Sequence, residues 1–176
     1  MITRRFTRVD LTNATEDYLL KVGEEAYISF SGITTLPLKI ATLNDSYYEA
    51  YLIPSTPGTL SGVTTRVKLL PNNTEYTGQI IFSYIFRHRD IFSSTYETSR
   101  HFYIGAGYAN ISMWIINRKQ YKNVRSIADT YGAITYYPVI VEISNDWRDT
   151  TTEWISLGTI VFPMTTSGEI IVRRLM

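Results

Sequence analysis

Apolar residues return at every second position through most of this chain, and that period limits what it can fold into. Successive residues of an extended strand point to opposite faces, so such a run makes one face apolar and the other polar. In the stretch 79–88, Ile80, Phe82, Tyr84 and Phe86 share one face while Ser83 and Arg87 lie on the other. In 47–53, Tyr48, Ala50 and Leu52 oppose Tyr47, Glu49 and Tyr51. In 63–69, Val63, Val67 and Leu69 oppose Arg66 and Lys68. The runs 22–30, 36–43, 111–116, 134–143, 154–162 and 169–175 also read as strands.

Turn-forming residues break these runs. Pro54-Ser55-Thr56-Pro57-Gly58 and Pro71-Asn72-Asn73 each separate two of them, and Ser144-Asn145-Asp146 follows a long one. Thr165-Thr166-Ser167-Gly168 reads as the loop of a hairpin joining the last two strands. Many short strands with such turns predict an all-β, single-domain antiparallel sandwich of jelly-roll type. Two segments are open to a second reading. In 13–22, Asn13 as cap, Glu16 three residues on and Gly23 at the end suit one short helix, although strand suits the part nearest the glycine. In 117–132, Tyr121, Val124, Ala128 and Tyr131 recur at helical spacing, which suits a helix or an irregular loop.

At 176 residues the chain buries enough surface to fold without metal or disulfide staples, and a single domain is the simplest organisation. Its 14 tyrosines lean the composition toward sheet. A formal net charge of +1 supplies no basic field for nucleic acid, so none is expected as a partner. No stretch approaches the ~20 apolar residues of a membrane helix, and residues 1–20 lack an apolar core of signal-peptide length. The absence of cysteine excludes thiolate catalysis and Cys-ligated metals.

Signs of chemistry are sparse. His88 and His101 belong to no metal-ligand spacing and read as strand-end residues. No GxSxG elbow occurs, and Gly105-Ala106-Gly107 lacks the Lys-Ser/Thr pair of a phosphate loop, so it reads as a bend. Adjacent Glu24 and Glu25 would point to opposite faces of a strand and cannot share a site. The expectation is therefore no catalytic residue, no cofactor and no metal. One candidate binding surface stands out: Trp147 and Trp154 with Asp146 and Asp149, an acid-plus-tryptophan arrangement suited to sugar contact. The same residues also suit a turn whose tryptophans plug the end of a sandwich. The tyrosine clusters Tyr47, Tyr48, Tyr51 and Tyr136, Tyr137 suit either an interface or a core.

The segment 152–162, with Trp154, Leu157, Gly158 and Phe162, followed by Ser167-Gly168-Glu169-Ile170, resembles the closing hairpin of carbohydrate-binding jelly rolls. The whole chain, cysteine-free and rich in Thr, Tyr, Asn and Ile, is similar in texture to accessory virion proteins of tailed bacteriophages, meaning head decoration and tail or fibre components. The resemblance implies a non-enzymatic sandwich located in the virion. Its partners would be other virion proteins and further copies of itself, with surface glycan as the alternative. Residues 1–11, carrying Arg4, Arg5 and Arg8, then read as an extended arm that clamps a neighbour, or as a plain first strand through Ile2, Phe6 and Val9.

Overall fold

The computed structural model describes residues 5–55, 59–60, 66–75, 80–88, 91–99, 101–106, 109–132, 138–147 and 151–176. The protein is all-β. Its first strands are β1 (Thr7–Asp10), β2 (Tyr18–Leu19), β3 (Glu24–Pro37), β4 (Ile40–Ala41) and β5 (Ser46–Pro54). Next come β6 (Thr59–Leu60), β7 (Arg66–Leu70), β8 (Ile80–His88), β9 (Ile91–Ser99) and β10 (Phe102–Ala106). The last four are β11 (Asn110–Arg118), β12 (Tyr121–Gly132), β13 (Pro138–Trp147) and β14 (Thr159–Arg174). A single 3₁₀ turn, Pro71–Asn73, is the one helical element among the described residues.

The main sheet runs β1-β3-β14-β5-β11-β12-β13-β8-β9, mostly antiparallel, with β1 parallel to β3. Strand β14 joins this sheet to a second layer. Its end, Gly168–Arg174, pairs with β5, whereas its start, Thr159–Val161, pairs with β7, which in turn pairs with β10. The pair β2–β4 forms a small separate sheet. Between the layers lies one apolar core. Val67, Leu69, Phe102 and Ile104 of the small layer are buried together with Val124, Ala128, Val141 and Ile143 of the main sheet.

A buried side chain ties the two layers. Asn145 of β13 is fully buried; its Oδ1 accepts from Tyr103 N at 3.1 Å, and its Nδ2 donates to Tyr103 O at 2.7 Å and Val124 O at 2.9 Å. Tyr103 lies where the β10–β7 register shifts, so the amide supplies backbone partners that the ladder does not. The irregular stretch 151–158 is held similarly. Asn117 Nδ2 donates to Thr42 Oγ1, Leu43 O and Trp154 O, and Asn72 Oδ1 accepts from Ile155 N and Ser156 N. Asn72 itself has a left-handed backbone (φ 55°), which asparagine tolerates better than most residues.

The structure corrects four expectations. Residues 13–22 form no helix; turns and the short β2 occupy them, because Tyr18 N is drawn to Lys39 O and its phenol to Glu24. Residues 117–132 are neither helix nor irregular loop but the turn and second arm of a β11–β12 hairpin. Lys122, Val124, Ser126 and Ala128 all face inward there, so two polar residues interrupt the apolar face and disguise its period of two. Ser144-Asn145-Asp146 is not a turn but the continuation of β13 to Trp147. Finally, Thr165–Gly168 closes no hairpin, since β14 runs through it.

That last correction has a visible cause. Thr35 pairs with Val161 and Ile33 with Thr166, so β14 spends extra residues against β3 in a bulge. Gly168 follows, where a Cβ would run into the Ile53 carbonyl of β5. The polar run therefore marks a kink and a close approach, and the hairpin seen in carbohydrate-binding jelly rolls is not formed. At the N-terminus, Thr7–Asp10 is an edge strand on β3; residues 1–4 of the expected arm lie outside the described residues.

Candidate functional site

The expected sugar surface falls apart in three dimensions. Trp147 and Trp154 expose only 6% and 1% of their surface. Their rings stack 6.3 Å apart, and Phe102 meets each edge-on, at 6.1 Å and 5.1 Å. A stacking platform for a sugar needs an open ring face, and here those faces are covered by one another. Lys122, also fully buried, donates from Nζ to Thr152 O at 2.6 Å and lies 5.5 Å from the Trp147 ring. Asp146 points the other way, off the outer side of β13, where Tyr121 Oη and Asn123 Nδ2 both donate to its Oδ1. Asp149 lies outside the described residues.

The two histidines lie apart in the sequence order of strands, His88 at the end of β8 and His101 just before β10. His101 Nδ1 is 3.8 Å from Glu75 Oε1, beyond hydrogen-bond reach, and that carboxylate is 64% exposed. His88 ends β8, as expected from the sequence. Gly105 is buried in β10, where an added Cβ would strike the Ile111 side chain; Gly107 lies outside the described residues. A cleft near the N-terminus is lined by Arg5, Phe6, Val22, Gly23, Arg174 and Leu175, none of them a carboxylate, histidine or hydroxyl. No group of His, Asp and Glu able to hold a metal occurs among the described residues, and none of their helices is long enough to cross a membrane.

What the fold does build is a broad outer face on the main sheet. Strand register aligns outward-pointing residues in rows across the strands. One row reads Arg8, Glu25, Arg173, Glu49, Trp114, Arg125 from β1 to β12. The next reads Tyr27, Ile171, Tyr51, Ser112, Ile127, Glu142 from β3 to β13. Ile53 and Ile140, outward on β5 and β13, are each 42% exposed. Thus the inward residues of these strands are mostly aliphatic, with Tyr48, Asn117, Lys122, Ser126 and Asn145 among them, and the outward ones are largely aromatic, β-branched or charged. Tyrosine 48 shows the division: it is fully buried, while Tyr47 and Tyr51 on either side point outward. Tyr136 and Tyr137 lie outside the described residues.

Charge organises the β1 end of this face. Glu25 is 7% exposed and accepts from Arg8 Nε and Arg173 Nε, both at 3.0 Å. Burial pushes its pKa up, but hydrogen bonds from Arg173 and Arg8, with their charges, outweigh burial and hold it below the ordinary value. Arg173 also covers the rings of Phe6 and Tyr51, at 4.9 Å and 5.3 Å, and comes within 3.9 Å of Glu49. Burial and then the neighbouring Glu49 carboxylate raise the Tyr51 phenol, so it is a neutral hydrogen-bonding tip at physiological pH. Arg125, at the other end of the row, is exposed and makes no ion pair among the described residues.

Such a face is suited to binding. Tyrosine, tryptophan and arginine give large contact area with polar tips, the composition found where proteins dock. Trp114 is the residue that sequence reading passed over. The available signal was its outward phase in 111–116, opposite Met113 and Ile115. Comparison with known proteins gives no match to a family model, to a curated protein or to a solved structure.

Proposed function

We propose that this protein is a non-enzymatic structural module of a tailed-bacteriophage virion, on head or tail, that works by protein–protein contact through the outer face of its main sheet. The observation that supports this reading is the pair of rows through Trp114 and Tyr51, where aromatic rings and isoleucines stand among arginines and glutamates on a sheet surface that has no layer over it among the described residues. Large tyrosine and tryptophan rings set among arginines on an outer sheet face are the composition of a docking surface. The virion assignment rests in addition on the compositional likeness to accessory virion proteins. The rival, a carbohydrate-binding module, loses Trp147 and Trp154 as its platform and would have to use the same outer face.

Mass spectrometry of purified particles from a phage encoding this chain tests the reading. The expected result is the protein in fixed stoichiometry with the major virion proteins. Its absence from intact particles would overturn the virion assignment. A glycan array tests the rival; a hit lost in Trp114→Ala would favour sugar over protein as the ligand of this face.

A further inference from the structure

Resting on the reading of the outer face as a contact surface, we infer that its partner is a second copy of the same chain, docked face to face about a two-fold axis that runs along β11 over Trp114. The row through Trp114 carries opposite charges at equal distances from it. Glu49 on β5 is one strand to one side, and Arg125 on β12 is one strand to the other. A two-fold axis in the interface plane, parallel to β11, carries β5 of one copy over β12 of the other. Glu49 of each copy then meets Arg125 of the other, and Trp114 meets its own equivalent on the axis.

The next row obeys the same operation. Tyr51 on β5 and Ile127 on β12 flank Ser112, so each copy lays a ring on a β-branched side chain, with a small residue at the axis. A closed two-fold contact requires this kind of self-complementarity, in which residue i meets j and j meets i. Arg125 is exposed and without an ion pair among the described residues, so it has a charge to give. Sheets packed face to face lie about 10 Å apart, which accommodates a layer of side chains from each. The five strands from β14 to β13 that this axis overlays, at about 4.8 Å spacing, and four outward rows, through Tyr47, Glu49, Tyr51 and Ile53, span about 650 Å² in projection, close to the roughly 800 Å² per partner of a stable pair.

Sedimentation velocity on the full chain, between about 1 and 100 μM, tests this. The wild type is expected to sediment as a dimer. Glu49→Arg alone and Arg125→Glu alone each set like charges together twice per dimer and are expected to weaken it at least tenfold. The double variant restores the pairing and is expected to return the dissociation constant to within about threefold of wild type. Thermal melts by circular dichroism check that each variant is folded. If either reversal unfolds the chain, Glu49→Gln and Arg125→Gln take its place, each expected to weaken the dimer without like-charge repulsion. A wild type monomeric at 100 μM, single variants that dimerise normally, or a double variant that stays monomeric would each overturn the two-fold. A monomer that is nevertheless found in particles would sink this inference and leave the proposed function standing.

Discussion

Trp154 and Trp114 are the same residue type set to opposite tasks by the two sides of one sheet. Trp154 lies 1% exposed between the layers, clasped by Phe102 and Trp147. Trp114 stands on the outward side of β11 between Glu49 and Arg125. The inner ring is surrounded by its own chain, so the fold depends on it. The outer ring is only partly buried, on the side of the sheet with no layer over it among the described residues. The difference teaches that in a sandwich the same residue belongs to core or outer face according to the side of the sheet it is brought to, and not its chemistry.

The largest effect expected on the inner side is that of Trp154→Ala. Removing a buried tryptophan costs about 4 kcal/mol, so the urea midpoint should fall steeply. A loss under about 1 kcal/mol would break the contrast between the two rings. Next comes Asn145→Leu, which strands Tyr103 N–H, Tyr103 O and Val124 O without their partner; about 3 kcal/mol is expected, read by the same unfolding experiment. Amide exchange at Tyr103 should rise with it, and an unchanged exchange rate would show that the layers are held some other way.

Glu25→Gln sharpens the outer side, with an expected cost of about 1 kcal/mol at pH 7. Its sign with pH follows from the lowered pKa. A carboxyl more acidic in the folded than in the unfolded state adds stability above its unfolded pKa, and that stability is lost as pH falls through the folded pKa. Wild type and Glu25→Gln should therefore differ at neutral pH and converge in strong acid. A gap that persists there would show that shape, and not charge, accounts for the difference. The smallest effect on folding is expected from Trp114→Ala, within about 0.5 kcal/mol when measured in dilute solution where copies are apart.

The strands were legible because apolar residues alternate in the sequence there: β5, β8 and β11 fall where alternation places them. The misread segments share one cause, polar residues doing interior work. Asn145, inward and fully buried, looked like a turn residue because its amide serves another strand's backbone. Lys122 and Ser126 broke the alternation of β12 in the same way. Nothing in the local sequence announces such long-range hydrogen bonds. The sugar surface failed for a related reason: an acid beside a tryptophan in a strand puts the two on opposite faces, as Asp146 and Trp147 show. The rows of the outer face, by contrast, depend on register between distant strands and could not be assembled from any one segment.

Strand β14 is flanked on both sides, by β3 along one edge and by β7 then β5 along the other. A ribosome making this chain from its N-terminal end would release β3 and β5 long before residues 168–174 arrive to fill the slot between them. Until then two bare hydrogen-bonding borders are open to any passing strand, including that of a neighbouring nascent copy. Fragments ending short of β14 should therefore clump rather than persist as smaller soluble units, and yield in the cell should depend on how quickly translation completes.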